Sequence, residues 1–300
     1  MPWGLEIGPE TVRVCHASQR AGRLVVQRRV ELPVPSGLIQ PSLKESNVGD
    51  AARLAALLTE ARQKARLRGW LRVALPDAAF TMRTVTTDQL PERREDARRF
   101  LRWQARDLFP FPPDEARLDY QRLSPAADGR QRSVCLVARD RVLAEYEGAL
   151  AQAGCRVAVL DAQTISLAQA ASPALGAGPV GLLAVNGTRS TLLVVHEEQP
   201  RFWRHLPDGR QGWEDGARAR LLREIADSLA FCQESEGAGA VKELVVSGLG
   251  ELAGEVSASL TDWLGLPVAR LDLARALRTG GDPDDLAAWG AVIGAAIRPW

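Results

Sequence analysis

The sequence is nearly without lysine. Of its 38 basic residues only Lys44, Lys64 and Lys242 are lysines, and the rest are arginines. Acidic residues number 37, which leaves a formal charge of +1. A protein that gains affinity by neutralising many phosphates carries a large basic excess, so this balance argues against a nucleic-acid partner. Cysteine is sparse: Cys15, Cys135, Cys155 and Cys232 are widely spaced, form no CxxC pair and read as buried free thiols. Histidine is limited to His16, His196 and His205. Cys15 and His16 are neighbours in an expected strand, where successive side chains point to opposite faces. That leaves little basis for a zinc site or a Cys/His nucleophile. Long apolar runs are missing as well. Leu286–Ile297 falls well short of the ~20 residues that cross a bilayer, and Pro179–Val195 is interrupted by Asn186 and Arg189. The opening MPWGLEIG has no basic start and no apolar stretch of a signal peptide. A cytoplasmic protein is expected.

What is present is ordinary globular material. The 300 residues are 46% hydrophobic and 25% charged, enough for about two domains and a core that needs no disulfide or metal. The chain opens with strand patterns at Trp3–Ile7, Thr11–Cys15 and Leu24–Val26, separated by turns at Gly8-Pro9 and Ala21-Gly22. Asp50 reads as the N-cap of a helix through Ala65, with Gly69 as its terminating glycine. Leu71–Leu75 is a short strand ended by Pro76.

Residues 77–154 differ in character. They hold a strand (Phe80–Val85), a highly charged helix (Glu92–Leu108), a Pro/Phe break, strands at Leu118–Leu123 and Ser133–Ala138, and a helix closed by Gly154. A helix over Asp161–Ala171, with Asp161 as its cap, leads to the segment Pro173–Gly181, which reads as a hinge or linker. The opening pattern then returns. Gly181–Val185, the turn Asn186-Gly187, Thr191–Val195 and Phe202–Leu206 repeat the first meander at an offset of 179, with Gln199-Pro200 in place of the second turn. Helices over Asp215–Glu234, Glu251–Leu264 and Asp285–Ile297 and a strand at Glu243–Ser247 complete the chain. Two halves that each open with the same meander and continue into helices predict a duplicated α/β architecture.

A glycine at a hairpin tip lets backbone N–H groups approach a phosphate closely. Two such tips facing each other, at Gly8 and Gly187, can grip a phosphate chain from both sides. A glycine-rich strand–turn–helix at Val245–Gly250 can pass near a base or ribose.

Six longer runs carry a family resemblance. The most specific is FLRWQARDLFPFPPDEARLDYQRL at residues 100–123. The others are VALPDAAFTMRTV (Val73–Val85), AGCRVAVLDAQTISLAQA (Ala153–Ala170), REIADSLAFCQES (Arg223–Ser235), ELVVSGLGELAGEV (Glu243–Val256) and GAVIGAAIR (Gly290–Arg298). In this order the sequence resembles the PilM family of type IV pilus assembly proteins, relatives of the division protein FtsA in the actin/Hsp70-like ATPase superfamily. The resemblance implies an α/β actin-like ATPase fold with duplicated ribonuclease-H-like halves. The first half would comprise residues 1–76 and 155–176, an inserted α+β subdomain residues 77–154, and the second half residues 177–300. It also implies a cytoplasmic scaffold of the pilus assembly platform. Such a scaffold is held at the inner membrane by the N-terminal cytoplasmic tail of a PilN-like protein lying in a groove beside the inserted subdomain, entered by strand addition or insertion.

The phosphate loops depart from the family pattern. Glu6-Ile7-Gly8-Pro9-Glu10-Thr11 stands where Asp-Ile-Gly and small hydroxyl residues are usual, so Pro9 removes a donor and Glu10 adds a negative charge. Val185-Asn186-Gly187 replaces a second Asp-Ile-Gly, and Val185 cannot order a metal-bound water. Ser247-Gly248-Leu249-Gly250 has a bulky residue among the glycines of the third motif. The candidate nucleotide contacts are Glu6, Gly8, Thr11, Gly187, Ser190, Thr191, Gly248 and Gly250, with no catalytic or metal-binding residue. The expectation is no ATP hydrolysis and no resident cofactor, with Mg-ATP the one these loops would take.

Other features have plainer readings. Arg94, Arg98, Arg102 and Arg106 form a basic stripe, read as a solvated face partly neutralised by Glu95 and Asp107, with acidic partners or lipid headgroups as the alternative. Phe109 and Phe111 read as a packed helix stop, with a groove lining as the alternative. The tryptophans read as core or edge packing. The ending Arg298-Pro299-Trp300 carries neither an amphipathic helix nor a transmembrane segment, which favours recruitment by a partner. The rival readings are an ATP-dependent enzyme or switch of the same superfamily and an FtsA-like filament former in division.

Overall fold

The computed structural model describes residues 3–20, 23–126, 128–176, 178–214, 216–235, 239–279 and 283–297. The turn at Ala21-Gly22, Asp215, and Arg298-Pro299-Trp300 lie outside them, as does Ala177 within the proline-glycine segment.

Strand β1 (Trp3–Ile7) lies at the centre of a covered sheet and is buried along its whole length, the carboxylate of Glu6 included. It pairs antiparallel with β2 (Thr11–Arg20), which pairs with β3 (Arg23–Pro33). Helix α1 (Ala51–Ala65) follows, and β4 (Trp70–Leu75) returns parallel to β1. The helix begins as expected, with the Asp50 side chain accepting from the Arg53 N–H at 2.9 Å. Its end is not at Gly69. Arg66 takes the left-handed cap at φ 52°, because the Arg66 and Leu67 N–H groups turn back to Gln63 and Arg62.

A 3-10 turn at Asp77–Ala79 leads into β5 (Phe80–Thr87). Helix α2 (Arg94–Gln104), β6 (Ala116–Leu123), β7 (Gln131–Arg139) and α3 (Asp140–Gln152) follow. These strands form a sheet of three in the order β5-β7-β6. Its core gathers Leu101, Ala105, Phe111, Leu118 and Val137. Phe111 is buried and stacks on Phe109 at 6.1 Å, so the aromatic pair packs the helix stop. Helix α2 is shorter than expected, since Ala105 caps it and a 3-10 turn fills Arg106–Leu108 before the prolines. Its basic stripe is neutralised partly from another element: Asp119 on β6 meets Arg94 at 2.7 Å and Arg98 at 3.1 Å.

Strand β8 (Arg156–Ala162) adds parallel to β4, giving the order β3-β2-β1-β4-β8. Asp161 lies on this strand opposite Ala74 and does not cap helix α4 (Gln163–Ala171). The second half repeats the plan. β9 (Val180–Val185), β10 (Ser190–His196), β11 (Gln199–Leu206), the short α5 (Arg210–Glu214), α6 (Arg218–Ser235), β12 (Glu243–Ser247), α7 (Ala253–Leu264) and β13 (Val268–Arg270) give the sheet β11-β10-β9-β12-β13. In both sheets the first three strands are antiparallel and the last two join in parallel. The turn before β11 falls at Glu197-Glu198, both left-handed, rather than at Gln199-Pro200. Pro200 instead sits in β11, an edge strand that tolerates it.

After α8 (Leu273–Ala276) and α9 (Pro283–Ala288), α10 (Gly290–Ile297) crosses back to pack on α4 and β1. By packing, residues 290–297 therefore belong to the first sheet, although sequence order groups them with the second half. Gly294 permits the approach, because a Cβ there would overlap the Ser166 carbonyl oxygen. Three tryptophans depart from core packing: Trp70, Trp103 and Trp263 are 55%, 59% and 56% exposed. All four cysteines are free and buried. No helix among the described residues is long and apolar enough to cross a membrane.

Candidate functional site

The first and second hairpin tips face each other across a cleft. The first tip is held by Gly8 N–H donating to the Thr11 carbonyl at 2.9 Å, which makes Pro9-Glu10 its two-residue turn. Val34 N–H donates to the Glu10 carbonyl at 2.8 Å and ties the turn to the end of β3. In the second tip, Asn186 N–H donates to the Arg189 carbonyl at 2.8 Å. The start of α5 leans on this tip, with Arg210 N–H and Gln211 N–H donating to the Asn186 and Gly187 carbonyls, each at 2.9 Å. Those helix-start donors are thereby turned to the hairpin.

The floor of the cleft is acidic. Glu6 on β1 is 7% exposed, and its Oε1 accepts from Gln163 Nε2 at 2.9 Å. Its Oε2 has no hydrogen-bond partner among the described residues, with Arg13 Nη1 at 3.8 Å. Burial pushes the Glu6 carboxyl up to about 7, and the nearby Asp77 carboxylate adds to this, while Arg13 and Gln163 pull it down. Arg13 spends its Nε on Glu31. Asp77 accepts from both the N–H and the hydroxyl of Thr164, so it caps α4 from outside the helix. The open volume is about 220 Å³, below the roughly 300–1,000 Å³ of usual small-molecule sites.

Glu10 closes the cleft from above. A methyl group on Gly187 would overlap Glu10 Oε1, so the carboxylate of one tip rests against the glycine of the other. At the far wall, Gly248 has φ +88°, and a Cβ there would overlap the Val185 carbonyl oxygen.

A second cavity, about 170 Å³, lies between the three-stranded sheet and β8. Met82, Val134 and Leu136 form one wall, Val159, Leu160 and Ile165 the other, and Pro200 of β11 closes one side. β8 is the outermost strand of the first sheet. Its Val157, Val159 and Leu160 are only partly covered, which leaves an apolar edge. Arg94 and Asp119 pair at the rim, and Arg94 sits 5.5 Å from the Tyr120 ring centre.

A family model described as type IV pilus assembly protein PilM matches residues 4–211. The chain belongs to the PilM family. A chain of a solved PilM–PilN type IV pilus biogenesis complex matches with a TM-score of 0.79 and 22% identity, covering 99% of this chain and 96% of that one. The cytoplasmic domain of EpsL, an inner-membrane component of the Vibrio cholerae type II secretion system, matches at 0.53 and 11% identity, over 97% of this chain and 94% of that one. A Bacteroides thetaiotaomicron protein with an actin-like ATPase fold and unknown function matches at 0.53 and 10%, over 95% and 94%. No curated protein sequence matches the chain. These likenesses show the fold, and it is the actin-like one.

In this PilM-family chain the expected contacts divide. Glu6, Gly8, Thr11, Gly187 and Gly248 line the cleft. Ser190, Thr191 and Gly250 do not. The Ser190 hydroxyl donates to the Asp208 carbonyl at 2.7 Å, and Thr191 is buried with its hydroxyl 3.3 Å from His205 Nδ1. They follow the second tip in sequence, but they point into the packing behind it. Gly250 has φ +54° with open space beside it. The sequence did not mark Asp77, which follows β4, or Gln163, which opens α4 after β8, and the parallel pairing of β4 and β8 brings both to the cleft. The one available signal was a carboxylate directly after the strand end at Pro76.

Proposed function

We propose that the chain is a scaffold of the type IV pilus assembly platform that binds the N-terminal cytoplasmic tail of a PilN-like membrane protein. The single observation that carries this is the apolar groove bounded by the open edge of β8 and the three-stranded sheet. An extended segment gains main-chain hydrogen bonds from such an edge and places alternate side chains in the groove. PilM family membership and the fold match to a chain of a PilM–PilN complex support the choice of partner. The scaffold is then cytoplasmic and peripheral at the inner membrane through that tail.

The cleft plays no catalytic part in this reading. Phosphoryl transfer needs positioning and charge neutralisation, with metal ions central. Val185 stands where a carboxylate is usual, Pro9 offers no N–H, and Glu10 sets a negative charge between the tips. The residues present do not fit Mg-ATP.

The test is binding of a synthetic tail peptide from the encoded PilN-like protein. Leu160→Arg places a charge in the groove and should weaken binding at least about tenfold. Trp263→Ala, exposed on the second half, should not. A tail that does not bind the wild-type chain, or binds Leu160→Arg equally well, contradicts the reading.

A further inference from the structure

We infer that Glu10 is the residue that sets what the cleft rejects: its carboxylate occupies the space between the hairpin tips that a condensed phosphate would need. The inference rests on the reading that the cleft holds no nucleotide, and it names the cause. Three features place this residue at the opposite tip. The ring of Pro9 fixes the backbone before it. The Val34 N–H holds its carbonyl at 2.8 Å. The absent side chain at Gly187 leaves room for its Oε1 on the opposite tip. The tip of one hairpin thus carries an anion of its own and sets it where a phosphate held by both tips would lie.

Two consequences follow from charge and shape. Glu10 is exposed at the cleft mouth, so its charge repels an incoming anion only at short range, screened by solvent, and steric occupation of the gap is the larger obstacle. An anion replacing it must first displace a carboxylate that is covalently tethered, and so present at high effective concentration. Neither obstacle depends on Val185, so exclusion of phosphate and loss of catalysis have separate causes. Removing the Glu10 side chain restores binding without restoring hydrolysis.

The experiment uses the full chain with magnesium and inorganic pyrophosphate or ATP as probes, read by calorimetry and by thermal shift. Glu10→Ser and Glu10→Ala should each gain saturable binding, at least about tenfold tighter than wild type. Glu10→Gln, which keeps the bulk and drops the charge, should fall between. Cooperative unfolding and unchanged tail-peptide binding establish that each variant is folded. Wild type binding either probe as tightly as Glu10→Ser overturns the inference, as does a folded Glu10→Ser and Glu10→Ala pair with no gain. Loss of the tail-binding reading would appear only in the peptide arm, so the two failures are separable.

Discussion

Asp77 caps a helix to which it does not belong. Its Oδ1 accepts from the Thr164 N–H at 2.8 Å, and its Oδ2 accepts from the Thr164 hydroxyl. Residue 77 follows β4 and residue 164 follows β8, so one carboxylate locks together the ends of two parallel neighbours. The same first turn of α4 contributes Gln163 to the cleft and Ile165 to the groove. Asp77→Ala leaves two buried donors unmet and should cost about 2–3 kcal/mol. Thr164→Val removes the hydroxyl bond alone and should cost about 1 kcal/mol. Urea unfolding of both, with the double variant, checks this. Costs that simply add would show that the pair is not coupled.

Glu6 makes stability depend on pH. Below the ordinary carboxyl pKa both the folded and the unfolded chain hold the proton, and burial of Glu6 carries no charge penalty. Between that value and about 7 the unfolded chain has released its proton while the folded one retains it, so stability falls as pH rises. Above about 7 the full penalty applies, on the order of 3 kcal/mol. Glu6→Gln should therefore stabilise the protein near pH 8 and change little near pH 4. Equal effects at both pH values would mean that Glu6 is not the titrating group.

Gly248 and Gly250 both have positive φ, but they differ in what surrounds them. Gly248→Ala forces a Cβ into the Val185 carbonyl oxygen and should cost more than about 3 kcal/mol. Gly250→Ala meets open space and carries only backbone strain, about 1 kcal/mol. The difference between the two melting temperatures reads this directly.

Arg66 is an exposed arginine in the left-handed cap of α1. Arg66→Gly relieves that strain and should stabilise by a few tenths to about 1 kcal/mol, with circular dichroism melting as the check. A lower melting temperature would show that the Arg66 side chain contributes contacts that outweigh the strain.

The duplicated strand plan was legible because it is written in continuous signals. β9 is an unbroken apolar run and β1 is one but for Glu6, and each meets its partner across a short glycine turn. The cleft was legible in part, because Gly8 and Gly187 mark those turns. Ser190 and Thr191 misled because their hydroxyls look like phosphate ligands in sequence, while as neighbours on β10 they are buried and occupied by the Asp208 carbonyl and His205. Asp161 misled because a polar residue before a helical pattern looks like a cap, yet β8 runs on through Ala162. Contacts between distant segments, such as Asp77 with Thr164, α10 with β1, and Glu10 with Gly187, leave no local periodicity. They were visible only once the sheets had brought them together.

Binding of a PilN-like tail along β8 is read by hydrogen–deuterium exchange on the full chain with and without the tail peptide. Tail binding should add protection in the backbone of Arg156–Ala162 and in the facing strands of the three-stranded sheet, with little change at the hairpin tips around Gly8 and Gly187. Protection centred on those tips, or none along β8, would contradict it.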